Sequence, residues 1–498
     1  MASVEAPKTN ESNDALRKST EAIETDESSD ELNIPEYLLK SSRKKPIVNP
    51  VDEVFEGMLA DMEKEQWYHG CLPFEDIVGL LKKNGDFLIR ELEPEGDRIA
   101  AACVTVKWDD KIRNQQVFYT HCGKDRTFTL DGHNKRSDIM SIVKFHYSTK
   151  TPINEGIKLE NPIQKQPWEL TSDKITVQTK IGAGAFGEVF EGTLSQGPNK
   201  PPLKVAIKMT KVNDQNKAKI DEMYKEARLM RQYKHKNVVT FHGIVIKSAE
   251  NAMVVMELVN GGGLHVYLRK NKDVPMKTKV GYATDLAVGL VYLHSKGCMH
   301  RDVACRNCLL DIKNNIVKIT DFGLSKQGES YKIPDNEPLP IRWQAPEVIK
   351  TRIYTAKCDV YSYAITVWEI FHNAETPFTG IDNKTIKEKI SDPRFRPPCE
   401  TSLPIVIQRV IKACWRGNRK KRPVMSQAAR YLLNAPPELL EPGFAGRKAK
   451  TVTSSASKTR AKSSTKSPGG ASSKEKLSRN RQSRRRKCSA EMRKIRTV

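Results

Sequence analysis

Five short runs in this 498-residue chain carry side chains that could do chemistry together. Gly182-Ala183-Gly184-Ala185-Phe186-Gly187 places three glycines where backbone N–H groups can approach a phosphate with no Cβ in the way. Val205-Ala206-Ile207-Lys208 ends a β-rich stretch in a lysine, and Glu226 stands well placed to hold that lysine by charge. His300-Arg301-Asp302 leads to Asn307, and Asp321-Phe322-Gly323 and Ala345-Pro346-Glu347 follow in order. Asp321 and Asn307 supply the hard oxygen ligands that Mg2+ or Mn2+ takes. Asp302 is a carboxylate able to accept the proton of an attacking hydroxyl. Charge neutralisation around phosphates beside a positioned base is the equipment of phosphoryl transfer.

These residues need elements to aim them. The glycine run lies between strand-like stretches at 175–181 and 188–192, not ahead of a helix. A dinucleotide site would need a helix N-terminus there, so a phosphate-covering hairpin is the better reading. Residues 219–233 have amphipathic helical spacing and carry Glu226.

Each triplet recurs by chance, but all of them in this order and spacing resemble the protein-kinase catalytic domain, here across residues 168–440. The resemblance implies a bilobal kinase fold using ATP with Mg2+ (or Mn2+). It makes Asp302 the catalytic base with Arg306 beside it, and Lys208, held by Glu226, the lysine that positions ATP. Gly182, Gly184 and Gly187 would cover the phosphates; Val189, Ala206 and Leu309 would enclose the adenine. Glu257 and Val259 would offer hinge backbone, Met256 would back the pocket, and Asn307 and Asp321 would hold the metal. Glu347 with Arg422 implies a buried structural ion pair, and Asp359 an anchor for the catalytic loop. Serine/threonine kinases usually place Lys two residues after the catalytic Asp. Here Ala304 stands there and the basic residue comes at Arg306, the tyrosine-kinase arrangement. Leu339-Pro340-Ile341-Arg342-Trp343 resembles the platform for a tyrosine peptide, although Gln344 and Ala364 depart from the usual residues. Tyr331 falls in the activation loop as a candidate autophosphorylation site, with Arg301 and Lys326 as partners for its phosphate.

An earlier unit, residues 60–165, reads helix–sheet–helix. A helix is expected at 74–81, strands at 86–91, 99–108 and 115–119, and a second helix at 137–147 capped by Ser137. Arg90 sits inside an apolar strand, where an unpartnered guanidinium is costly unless an anion arrives from outside. Trp67-Tyr68-His69-Gly70, Phe87-Leu88-Ile89-Arg90-Glu91 and the closing His146-Tyr147 resemble an SH2 domain, a central antiparallel sheet flanked by two helices. That resemblance makes Arg90 the phosphotyrosine ligand. Phe74, Leu92 and Gln116 stand where the family usually has further donors to the phosphate. SH2 followed closely by kinase, the Trp168-Glu169-Leu170 junction and the Met256-Glu257-Leu258 hinge resemble the Fes/Fer branch of non-receptor tyrosine kinases. Its regulation implies a phosphotyrosine ligand that stabilises the active SH2–kinase arrangement, and the short 162–167 connector suits such packing. The alternative is a catalytically inactive SH2–kinase scaffold, but Lys208, Asp302, Asn307 and Asp321 are all in place.

The fold class is therefore α+β and multidomain, between two tails read as disordered. Residues 1–55 are Ser-, Asp-, Glu- and Lys-rich; residues 445–498 are Ser-, Lys- and Arg-rich. From Arg447 onward 18 Lys and Arg face only Glu475 and Glu491, a net +16 of the chain's +24. That tail suits an anionic membrane surface, a nuclear or nucleic-acid patch, or solvent alone. It lacks interleaved aromatics for base stacking, which weighs against nucleic acid. Ten scattered cysteines fit reduced thiols, and Cys305 with Cys308 lacks the second pair a zinc site needs. No myristoylation glycine, secretory core or apolar run of the ~18 residues that span a bilayer is present. The expectation is a cytoplasmic protein, peripheral at the plasma membrane if the tail binds lipid, with nuclear entry open.

Overall fold

The computed structural model describes residues 62–92, 101–122, 125–184, 187–211, 217–248 and 251–440. Both terminal tails lie outside the described residues.

The first unit is a four-stranded sheet in the order Lys111–Gln116, Ala101–Trp108, Asp86–Leu92, Asn161–Pro162. All pairs are antiparallel except the last. Alternation along Asp86–Leu92 sends Phe87 and Ile89 to a core with Val104, Val106, Phe128, Ile142 and Val143. Leu88 turns the other way, to Leu72, Ile77 and Leu81 beside the helix Phe74–Leu80. Arg90 shares that second face. The strand expected at 115–119 is interrupted at Val117, whose N–H donates to the Ala102 carbonyl. One strand ends at Gln116 and another, Phe118–Cys122, starts a separate hairpin with Asp125–Thr129. The second helix is Ile139–Thr149, and its cap is Asp138, not Ser137. The Asp138 carboxylate accepts from the Ser141 N–H at 2.8 Å, which sets the start one residue later than expected.

The second unit has two lobes. The first is a six-stranded sheet in the order Glu169–Leu170, Phe241–Ser248, Asn251–Glu257, Leu203–Lys211, Gly187–Leu194, Ile175–Gly184. The helix Lys217–Met230 packs on it through Met223, Tyr224, Ala227 and Met230. Glu257 ends its strand and leads into a helical lobe built on Met276–Ser295 and Ala356–Phe371. Every residue from Cys358 to Phe371 is buried, so this helix is the pillar under the loops described next. No helix among the described residues is long and apolar enough to cross a membrane.

The two units are joined closely. Asn161–Pro162 completes the first sheet and Glu169–Leu170 extends the second, leaving six residues between them. Asp76, on the first unit's Phe74–Leu80 helix, accepts three hydrogen bonds from Arg228 (2.8, 3.2 and 3.3 Å) and one from Arg231 (3.1 Å). Both arginines lie at the end of the Glu226 helix, and the Arg231 guanidinium stacks 4.4 Å over Trp168. His69 pairs with Glu169 at 2.7 Å. Gly70, at φ +56°, passes so near Ile246 that a Cβ would meet its carbonyl oxygen at 2.8 Å.

Candidate active site

The sheet register brings the first lobe's residues together. Gly182 pairs with Val189 and Gly184 with Gly187 in a hairpin, with residues 185–186 of its tip outside the described set. Lys208 lies opposite Val189 on one side and Val254 on the other. Ala206, Met256 and Val259 belong to the apolar core that runs through both lobes, and Val189 and Leu309 pack against it. The Lys208 ammonium reaches the Glu226 carboxylate at 2.6 Å, and both are buried. Burial pushes the Glu226 carboxyl up while Lys208 pulls it back down. The Glu257 side chain is occupied by Lys318 at 2.9 Å and the Thr240 N–H, and its own N–H donates to the Thr240 carbonyl.

Asp302 is held from two sides. Its Oδ2 accepts from the Asn307 amide at 2.7 Å, and its Oδ1 from Arg306. The loop carrying it hangs on Asp359, which accepts from the backbone N–H groups of His300 and Arg301 (2.9 Å each), from His294 and from Tyr354. Burial would raise the Asp359 carboxyl, but the hydrogen bond and charge of His294, His300 and the Arg301 N–H outweigh it and hold it low. The Thr320 N–H donates to the Asn307 carbonyl at 3.0 Å, which sets Asp321 next to Asn307.

Asp321 adopts φ +65° and Arg301 φ +71°, a conformation non-glycine residues hold only when the surroundings enforce it. Asp321 Oδ1 is buried with no hydrogen-bond partner. An orphaned buried carboxylate oxygen, with Asn307 joined to the same turn through Thr320, fits a hard divalent cation, so the residues present suit Mg2+. Phe322 is buried between Tyr233 and His300, ring centroids at 5.6 and 5.2 Å.

Sequence reasoning missed a link between this loop and the peptide platform. The Arg306 guanidinium stacks 4.2 Å over Trp343. Trp343 Nε1 and the Cys305 N–H both donate to Glu369 Oε2, at 2.8 and 3.0 Å. Burial pushes the Glu369 carboxyl up to about 7. Cys305 and Cys308 are both buried, with thiols raised by burial.

The family model described as "Protein tyrosine and serine/threonine kinase" matches residues 175–432, the span that holds all of these groups. The chain belongs to this kinase family, in its Fer/Fps tyrosine-kinase branch. Fer-related kinase 1 of Caenorhabditis elegans is 35% identical over 376 residues, 75% of this chain and 94% of that protein. Human tyrosine-protein kinase Fer is 33% identical over 377 residues, 74% of this chain and 44% of that protein. The transforming protein Fps of avian sarcoma virus (strain PRCII) is 32% identical over 369 residues, 72% of this chain and 66% of that protein. This kinase thus spans under half the length of human Fer. The Glu226 carboxylate also meets the Phe322 N–H, which brings the Lys208–Glu226 pair to the Asp321 turn, and that turn is joined through Thr320 to Asn307 and so to Asp302. Tyr331 lies on the strand Ser330–Lys332, paired with Tyr354, and its ring packs 4.6 Å from the Arg301 guanidinium.

Elsewhere, Arg90 Nε donates to the Thr105 hydroxyl at 3.0 Å and its Nη2 to the Asn114 amide oxygen at 3.4 Å. Asn114 is the third-strand side chain bonded to Arg90, while Gln116 lies in register with Arg90 through Cys103. Both partners are neutral, and no ion pair to Arg90 is found among the described residues.

Proposed function

We propose that this kinase transfers the ATP γ-phosphate to protein tyrosines as a non-receptor enzyme, and that residues 60–165 form an SH2 domain that binds phosphotyrosine. What supports the reading is the buried Lys208–Glu226 pair and the Asp302–Asn307 bond, with Asp321 Oδ1 left unpartnered among the described residues. Asp302 accepts the tyrosine proton as its oxygen attacks the γ-phosphorus in line, and the bond to the β-phosphate oxygen breaks to leave ADP. Lys208 orients the phosphates, and Asn307 and Asp321 would hold Mg2+, which would supply neutralisation of the phosphate charge. Mn2+ fits the same oxygen donors. Gly182, Gly184 and Gly187 cover the phosphates; Val189, Ala206 and Leu309 enclose the adenine against the Glu257–Val259 backbone. Arg306 on Trp343 ties the base to the peptide platform, favouring a phenol over a shorter hydroxyl. With all four charged and metal-binding groups in place, the inactive-scaffold alternative finds no support.

The SH2 reading rests on Arg90, a guanidinium in a strand with only neutral partners, ready for a dianion. Coupling to catalysis runs through Asp76, which grips Arg228 and Arg231 on the helix that presents Glu226. A phosphotyrosine peptide is expected to bind the full chain and raise its initial rate. Arg90→Leu is expected to weaken that binding by on the order of 100-fold, from the loss of charge-assisted hydrogen bonds. Fluorescence polarisation with a labelled phosphopeptide, alongside the rate, checks this; unchanged binding in the variant would end the SH2 reading.

The basic tail from Arg447 is proposed to hold the kinase at anionic membrane surfaces, in an otherwise cytoplasmic protein. Sedimentation with phosphatidylserine liposomes is expected to fall sharply in 0.5 M salt, since exposed charges are screened over ~3–10 Å at high ionic strength. Salt-insensitive binding would contradict it.

A further inference from the structure

The activation segment is organised around a carboxylate that no motif singles out. Arg301 is 2% exposed, and a guanidinium buried that deeply requires an anion. Its Nη1 donates to the Leu324 carbonyl at 2.8 Å, and its Nη2 pairs with Glu337. Glu337 is delivered by a fixed loop. Arg352 donates to the carbonyls of Pro334, Asp335 (3.1 Å) and Glu337 (2.8 Å), and the buried Ile333 donates its N–H to the Arg352 carbonyl. Gln344, at the start of the next segment, donates to the Arg301 carbonyl at 3.2 Å. Thus Arg301, next to Asp302, knots the beginning, middle and end of the segment together while Tyr331 carries no phosphate.

We propose that Glu337 is a positioning residue: a resident counter-ion for Arg301 that orders the activation segment before Tyr331 is phosphorylated. The inference rests on the tyrosine-kinase reading and adds a determinant of basal rate to it. The Tyr331 hydroxyl lies 3.4 Å from the other Glu337 oxygen. A phosphate on Tyr331 would therefore arrive beside a carboxylate that already holds the same guanidinium. Two anions at that spacing repel, so the phosphate replaces Glu337 on Arg301 instead of adding to it. Arg301 Nε, buried without a partner, and Lys326, 5.2 Å from the Tyr331 ring, are donors left for the incoming phosphate. Phosphorylation then exchanges one anion for another, and the wild-type chain gains little rate from it.

The test compares the full chain with Glu337→Gln and Glu337→Asp. Each is prepared phosphate-free with a tyrosine phosphatase, and again after phosphorylation in trans by immobilised wild-type kinase. Occupancy of Tyr331 is read by mass spectrometry, and initial rates on poly(Glu,Tyr) are measured. Without phosphate, Glu337→Gln is expected to lose on the order of tenfold or more in kcat, the loss of one charge-assisted hydrogen bond. Glu337→Asp is expected to recover part of that. Once Tyr331 is phosphorylated, Glu337→Gln is expected to return to within a few-fold of wild type, a rescue that general destabilisation would not give. Equal rates for phosphate-free wild type and Glu337→Gln would overturn the proposal, as would a deficit that phosphorylation leaves unchanged. A wild-type chain inactive in both states would overturn the kinase reading itself.

Discussion

Asp302→Asn is expected to lower kcat for tyrosine phosphorylation by on the order of 10²–10⁴-fold, the usual contribution of a positioned general base. The substitution is nearly isosteric, and the new amide oxygen can still accept from Asn307 or Arg306, which hold the carboxylate now. The loop should keep its shape, because its anchor is Asp359 and not Asp302. KM for ATP is accordingly expected to stay within a few-fold, since nucleotide contacts lie with Lys208 and the glycine hairpin. Steady-state rates at saturating ATP, with thermal melting to verify the fold, check this. A variant retaining more than about a tenth of wild-type kcat would mean that Asp302 is not the base.

The second large effect is on stability. Arg422 has a side chain with 0% exposure and meets Glu347 through two hydrogen bonds of 2.7 and 2.8 Å. Its remaining partners among the described residues are the carbonyls of Arg416, Lys357 and Gly417 and the face of the Tyr361 ring, none of which carries a net charge. Glu347→Ala leaves that guanidinium buried and uncompensated, a change that costs about 3–5 kcal/mol. Against a typical total of about 5–15 kcal/mol this is a large share. A lobe of this size should melt roughly 10 °C lower. Glu347 touches no group in the cleft, so the rate per folded molecule at low temperature should change little. Circular dichroism melting of the full chain measures the shift; a change below about 2 °C would show that the carbonyls suffice for Arg422.

The cleft was largely legible in the sequence because phosphoryl transfer restricts residue types at each position and the order of the motifs is tied to the order of the elements. Lys208, Glu226, Asp302, Asn307 and Asp321 could be named from spacing and family resemblance, and the structure pairs Lys208 with Glu226 and Asp302 with Asn307. What escaped depends on contacts that spacing does not encode. Asp76 and Arg228 are 152 residues apart, and nothing local marks the aspartate as their meeting point. Glu337 reads as one more acid in a polar loop until the Arg352 clamp turns it toward Arg301. Glu369, inside a run of wholly buried residues, was the one signal available: a buried acid implies a polar partner, here Trp343 and the Cys305 N–H. The smaller errors have equally local causes. Ser137 and Asp138 are comparable caps, and only the side-chain bond to the Ser141 N–H chooses between them. The break at Val117 has no turn residue to announce it, and the strand that places Asn114 at Arg90 therefore begins earlier than its apolar pattern suggests.

The claim that this chain phosphorylates tyrosine is tested most directly by incubating the purified full chain with Mg-ATP labelled at the γ-phosphate and an equimolar mixture of a tyrosine peptide and its serine counterpart, then identifying the labelled residue. Label on tyrosine, dependent on Mg2+, with serine unlabelled, is the expected result. Label on serine, or none from a chain with phosphorylated Tyr331 and a phosphotyrosine peptide supplied, would contradict it.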